Sequence, residues 1–180
     1  EGVRFSEKLH RLLQLLAFQV GAEASSSELG RSLGLSKNTV DRYLDLLQKA
    51  FIIYRVSGYS GNLRKEIVRN SRVYFVDNGI RNALVNNFSP LSLRQDVGLL
   101  WENYLFMERM KRNEYLSDNT NMYFWRTYDQ QEIDIVEERD GSLAGFEVKW
   151  ARNKVHPPSS WTNAYPDAQF NVINKDNYLE

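Results

Sequence analysis

The segment "DQQEIDIVEERDGSLAGFEVKW", residues 129–150, constrains the fold more than any other stretch. Asp140 and Gly141 form a pair favoured in two-residue hairpin loops, whose central positions need a positive φ. With those two in the loop, opposed residues sum to 281 in number: Arg139 faces Ser142, Asp134 faces Glu147, and Glu132 faces Lys149. Side chains alternate along a strand, so these last four share one face. Ile133, Ile135, Phe146, Val148 and Trp150 take the other. Opposed Cβ atoms lie about 4.5–5.5 Å apart, which lets the Asp134 and Glu147 carboxylates converge.

Opposed like charges destabilise a sheet unless something offsets them, and a divalent cation would. Two carboxylates with carbonyls and waters make the oxygen-rich, partly hydrated setting that Mg²⁺ or Mn²⁺ favours. Lys149 beside them can orient a water or stabilise a charged phosphoryl group. The competing reading is a solvated sheet face held by a Glu132 to Lys149 cross-strand pair.

Around this hairpin the pattern is α+β. "LRQDVGLLWENYLFMERMK", residues 93–111, reads as a helix with a broad apolar face and Glu102 near its edge. Strands are expected at "NMYFWRT", "QEIDIVEE" and "LAGFEVKW", then a short helix after Pro157 and a last strand at "QFNVIN". Arg126, at a strand end, is a candidate phosphate contact or an inert exposed arginine. Upstream, Leu9, Leu12, Leu13, Leu16 and Val20 recur at helical spacing. Ser25 and Glu28 fit the reciprocal capping pattern of a second helix, which Gly34 ends. Ser36 then caps a third, with Val40, Tyr43, Leu44 and Leu47 inward. "FIIYRVSGY" and "LRKEIVR" flank a Gly/Ser/Asn-rich turn and read as a hairpin.

The net charge of zero hides an asymmetry. Residues 31–72 carry nine Lys/Arg against three Asp/Glu, a net +6, whereas residues 129–150 carry seven acids against two bases, a net −5. A basic and an acidic region suggest two jobs. With no cysteine, disulfides, thiolate metal sites and a Cys nucleophile are excluded, and a cytoplasmic chain is the expectation. No apolar run approaches the roughly 20 residues of a membrane span. The chain opens inside an amphipathic helix without an initiator Met, which points to a piece of something longer.

The first half resembles the helix-turn-helix family at Leu29, Gly30, Leu33, Gly34, Leu35, Val40 and Tyr43, here as a winged helix with the hairpin as its wing. That resemblance makes Lys37, Asn38, Thr39 and Arg42 on the third helix, with Arg64 and Lys65 on the wing, the candidate DNA contacts. Glu102 on a helix, then Asp134, then "EVK" at Glu147 to Lys149, resembles the PD-(D/E)XK nuclease superfamily, although Ile133 stands where that signature has Pro. The resemblance implies Asp134, Glu147 and Glu102 as metal ligands for Mg²⁺ or Mn²⁺, and Lys149 as the group positioning the nucleophile.

Nearly the whole chain is similar to the C-terminal portion of a prokaryotic AAA-type ATPase family, through "LGLSKNTVDRYLDLL", "VYFVDNGIRNAL", "WENYL", "YFWRTYDQQEIDIV" and "GFEVKW". That implies an ATPase domain N-terminal to this region. No Gly-x-x-x-x-Gly-Lys-Ser/Thr loop occurs here, so ATP is expected only of that other part. The expected organisation is a winged helix over 1–76, a connecting segment over 77–92 and a PD-(D/E)XK-like α/β domain with a mixed sheet over 93–180. The expected function is metal-dependent phosphodiester hydrolysis on DNA. The alternative is a non-catalytic DNA- or protein-binding module that regulates the ATPase, with a protein partner in the latter case.

Overall fold

The computed structural model describes residues 2–61, 71–117, 119–151 and 154–179, with side chains from Ser6 onward. It is a mixed α+β chain that divides into two compact units. One comprises Glu1–Arg55 with Asn70–Arg94, and the other Val56–Arg69 with Gln95–Glu180.

In the first unit, α1 (Gly2–Phe18), α2 (Ser26–Leu33) and α3 (Lys37–Lys49) accompany β1 (Glu23–Ala24), β2 (Ile53–Val56) and β3 (Ser71–Phe75), which form a sheet in the order β1-β3-β2. The caps fall where the sequence puts them. Ser25 accepts the Glu28 amide, Ser36 accepts the Thr39 amide, and Gly34 ends α2 at φ 60°. Leu12, Leu16, Val20, Leu29, Val40, Leu44, Leu47, Ile53, Val73 and Phe75 meet in one buried core, so the apolar stripes of all three helices close on the sheet. The turn between α2 and α3 is tight. A Cβ placed on Gly30 would sit 2.7 Å from the Leu35 carbonyl oxygen, an atom fixed by the backbone.

Residues 77–92, expected as a connection, belong instead to this unit. Asp77 caps α4 (Asn78–Leu84) by accepting the Gly79 and Ile80 amides. Arg81, only 3% exposed, donates from Nε to the Ala17 carbonyl at 2.9 Å. Leu84 and Val85 pack on the core. Arg94 ties the end of the segment back through the Asn87 carbonyl and the Asn82 side chain, at 2.7 and 2.8 Å. What reads as a polar linker is held by buried guanidinium contacts, which hydrophobic periodicity does not register. The far strand of the expected hairpin, with Arg64 and Lys65, lies outside the described residues.

The second unit runs α5 (Val97–Tyr115), β4 (Asn121–Arg126), β5 (Glu132–Arg139), β6 (Ser142–Val148), α6 (Ser159–Ala164) and β7 (Gln169–Ile173). This is the expected order of helix, three strands, helix and strand. The sheet order is β4-β5-β6-β7, with β6 and β7 parallel and the other pairs antiparallel. Asp140 and Gly141 take φ of 50° and 78°, and Arg139 pairs Ser142 as the Asp-Gly turn requires. Helix α5 is pinned to the sheet by Arg109, whose guanidinium lies 3.8 Å from the Phe146 ring centroid and donates twice to Glu137 at 2.8 Å.

Residues 57–61 join this unit as a strap on the edge of β4. Tyr59 N donates to the Phe124 carbonyl at 2.7 Å, and Phe124 N donates to that of Ser57 at 3.2 Å. The start of the expected wing therefore satisfies backbone groups of the second sheet's edge. No helix among the described residues is long and apolar enough to cross a membrane.

Gly30→Ala should destabilise the chain by about 1–3 kcal/mol, since a fixed carbonyl must move to admit the methyl group. The check is a fall in the urea midpoint at unchanged slope.

Candidate functional site

The charged end of the β5–β6 hairpin departs from simple alternation. Along β4, Tyr123 pairs Val136 and Trp125 pairs Ile133, so two steps on β4 match three on β5. That is a β-bulge, which re-aims side chains where it occurs. Ile133 accordingly packs with Val136, Trp125 and Trp161 in one cluster. A Cβ on Gly145, the partner of Val136, would meet Ile133 Cδ1 at 3.2 Å and Trp161 at 3.4 Å. Ile133 thus lies on the Gly145 face, not the Phe146 face that strict alternation gave it.

The β5–β6 ladder runs from Arg139–Ser142 to Ile135–Phe146 and stops there. Asp134, 7% exposed, then accepts the Val148 amide on Oδ2 at 2.9 Å. A carboxylate does what a main-chain carbonyl would otherwise do. An acceptor lost here leaves a buried N–H unsatisfied, at a cost of about 1–3 kcal/mol.

Glu147 and Lys149 project from the same face of the strand. Lys149 Nζ lies 2.6 Å from Glu147 Oε1, with 12% of the Glu147 side chain and 36% of the Lys149 side chain exposed. Arg126 Nε lies 3.9 Å from Glu132 Oε2, and the lysine is paired along its own strand. Burial raises the Glu147 pKa above the ordinary carboxylate value, and the Asp134 charge adds to this, against the ion pair to Lys149. Burial by itself would lower the Lys149 pKa, but the bond to Glu147 and the fields of Glu147, Asp134 and Glu102 outweigh it and leave the pKa raised. Asp134, Glu147 and Lys149 therefore act on one another electrostatically. The half-buried Glu102 on α5 reaches the group through its field at Lys149.

Asp134 and Glu147 offer hard oxygens of the kind Mg²⁺ or Mn²⁺ takes, and the mutual repulsion that raises Glu147 is what a cation would relieve. Among the described residues no three Asp, Glu or His side chains stand close enough together to hold a metal ion. The expected trio of Glu102, Asp134 and Glu147 is thus not gathered into one ligand set. The donors present fit an ion that keeps several waters.

The expected DNA-contacting residues of the first unit divide. Lys37, Asn38 and Arg42 are exposed on α3. Thr39 is half-buried, and its hydroxyl lies 2.9 Å from that of Ser36, which commits it to the helix cap. Arg126 bonds the Gln130 side chain and borders a cleft with Tyr59, Trp125, Tyr128 and Tyr165. Apart from Arg126, none of these lining residues was a candidate on sequence. They meet only because the strap and the β4–β5 turn are brought together.

Residues 1–91 match the family described as Domain of unknown function (DUF8612), and the chain belongs to it. Residues 97–175 match a second family, Domain of unknown function (DUF4143). The break between them agrees with the division into units near Arg94. The chain is 31% identical over 151 residues to uncharacterized proteins of Mycobacterium bovis and of Mycobacterium tuberculosis, covering 82% of this chain and 33% of each relative. It is 26% identical over 152 residues to an uncharacterized protein of Haemophilus influenzae, covering 82% of this chain and 35% of that one. The chain thus spans about a third of the length of the curated relatives it matches. No solved structure matches it.

A raised carboxyl pKa in the fold favours the protonated form, so the contribution of Glu147 to stability is whole below its unfolded pKa and lost as pH rises through its folded one. The raised Lys149 likewise contributes below its unfolded pKa and loses that contribution as pH rises through its folded one. In metal-free protein, Asp134→Asn should move the Glu147 titration to lower pH. Carboxyl ¹³C chemical shifts read this directly, and an unmoved Glu147 would show that burial alone sets its value.

Proposed function

We propose that the second unit is a metal-dependent nuclease of the PD-(D/E)XK type acting on DNA. The observation that carries this reading is the convergence of Asp134, Glu147 and Lys149 where the β5–β6 ladder ends, with Glu102 felt from α5. The bulge in β5 adds support, since bulges concentrate beside active sites.

In this reading Asp134 and Glu147 hold Mg²⁺ or Mn²⁺, which when bound supplies a water made acidic and a polarised phosphoryl oxygen. Asp134 is oriented for this by the Val148 amide, which fixes its Oδ2. Glu147 gives up its bond to Lys149, which is then available to the nucleophile or the scissile phosphate as a fixed positive charge. Glu102 acts at longer range on the charge of Lys149.

The first unit is, on the same proposal, a winged helix that holds duplex DNA. Its helix, strand, helix, helix, strand, strand order and its β1-β3-β2 sheet support this, as do exposed Lys37 and Arg42 on α3. The greater length of the relatives leaves room for an N-terminal ATPase domain in the whole protein. A second reading, a non-catalytic DNA- or protein-binding module that regulates such an ATPase, draws on the Glu147–Lys149 ion pair, which occupies both groups.

Plasmid or oligonucleotide cleavage in Mn²⁺ should fall by about 100-fold or more in Lys149→Ala and in Asp134→Ala. Mn²⁺ should also raise the melting temperature of the wild type more than that of Glu147→Ala. Cleavage that survives both substitutions, or equal Mn²⁺ shifts, would sink the nuclease reading and leave the second.

For the first unit, neutralising Lys37 and Arg42 together should weaken duplex binding and reduce the slope of log K against log salt by about two, one counterion for each lost phosphate contact. An unchanged slope would turn the unit toward protein partners.

A further inference from the structure

The strap, the end of β4 with the turn that follows, and Tyr165 beyond α6 enclose a cleft of ≈ 220 Å³, lined by Tyr59, Ser60, Trp125, Arg126, Tyr128 and Tyr165 among others. We propose that this cleft is the subsite for one unpaired nucleotide of the strand that enters the Asp134, Glu147 and Lys149 site, its base against the tyrosine rings and its phosphate on Arg126. The proposal rests on the nuclease reading and narrows its substrate to DNA whose strand is unpaired at the cut, such as a single-stranded end or a flap.

Its chemistry is that of single-strand binding, in which aromatic faces stack bases of any identity beside a cation that tracks the backbone. Tyr59 and Tyr165 stand edge to face with centroids 5.4 Å apart. Tyr165 in turn lies against Trp161 at 4.7 Å, so this wall is braced by buried indole. Tyr128, also at the cleft, is 95% exposed, a large ring with no role in the core. Arg126 holds the Gln130 side chain and stands 3.9 Å from the Glu132 carboxylate, and a phosphate oxygen can displace the neutral amide. The volume falls below the ~300–1,000 Å³ of clefts for drug-sized ligands, which suits one base and not a stacked pair. A paired base keeps its faces against its neighbours in the duplex, and only an unstacked one can enter.

The cleft also lies near the site along the β4–β5 pair. Arg126 pairs in register with Glu132, and Glu132 lies two residues from Asp134, about 7 Å along the strand. Trp161 covers Gly145 and contacts both Trp125 and Tyr165. Glu147 and Lys149 alternate onto the face of β6 that Gly145 occupies.

The test uses a fluorescein-labelled 12-residue oligodeoxynucleotide, alone or annealed to its complement, followed by anisotropy in EDTA so that nothing is cut. Tyr128→Ala and Arg126→Ala should each weaken single-strand binding about tenfold, with Tyr128→Phe binding as the wild type and duplex binding unchanged. Melting temperatures accompany each variant, and the exposure of Tyr128 keeps that substitution clear of the core. Single-strand affinity unaltered in Tyr128→Ala, or lost equally for single strand and duplex in both Ala variants, overturns the assignment. Cleavage in Mn²⁺ separates the two readings. If the wild type is as inert as Asp134→Ala while Tyr128→Ala still loses single-strand binding, the nuclease reading falls and the cleft stands as a single-strand site. If the wild type cuts and Tyr128→Ala both cuts and binds as it does, the cleft assignment falls and the nuclease reading stands.

Discussion

Where the β5–β6 ladder stops, the Val148 amide is taken up by the Asp134 carboxylate, and the organisation of the second unit's polar end follows from that exchange. Two strands joined by a two-residue turn would ordinarily continue their pairing outward. Here the extra residue in β5 interrupts the alternation, and a side chain replaces a carbonyl as acceptor. The buried acid thereby gains a backbone N–H as a hydrogen-bond partner. Its charge then raises the neighbouring Glu147, and Lys149 responds to both.

The rest of the unit holds this end in place. Arg109 clamps α5 to β5 through Glu137 and to β6 through the Phe146 ring, which sets where the helix carrying Glu102 runs. On the other face Trp161 closes over Gly145 and Ile133, a fit that a side chain at 145 would prevent. The strap at residues 57–61 caps the free edge of β4 and brings Tyr59 against Tyr123 and Tyr165. Edge protection and the making of a cleft are the same act.

Much of this was legible before any coordinates. The Asp-Gly turn gave the hairpin its register, since positive φ at two successive positions admits few other structures. Helix starts followed from Ser25 and Ser36, because a hydroxyl reaching an unsatisfied amide is a local event. Other features were not legible. The segment after Phe75 reads as a connection, yet Arg81 binds it to the Ala17 carbonyl of α1, 64 residues away, and Arg94 closes it on itself through Asn87 and Asn82. The register shift opposite Tyr123 and Trp125, which turns Ile133 to the Gly145 face, is something alternation cannot foresee. The contact of the Thr39 hydroxyl with Ser36 at the start of α3 is likewise not written in the sequence pattern.

The sequence by itself determined the elements, their order, the hairpin register and the identity of the charged groups, because turns, caps and periodicity act over a few residues. Tertiary structure alone decided that the strap joins the second sheet, that Ile133 turns to the Trp161 face, and that Tyr59, Arg126, Tyr128 and Tyr165 border one cleft. Those outcomes are set by which backbone groups remain unpaired at an edge or a bulge once the sheet has formed, and a chain reveals that only after it has folded.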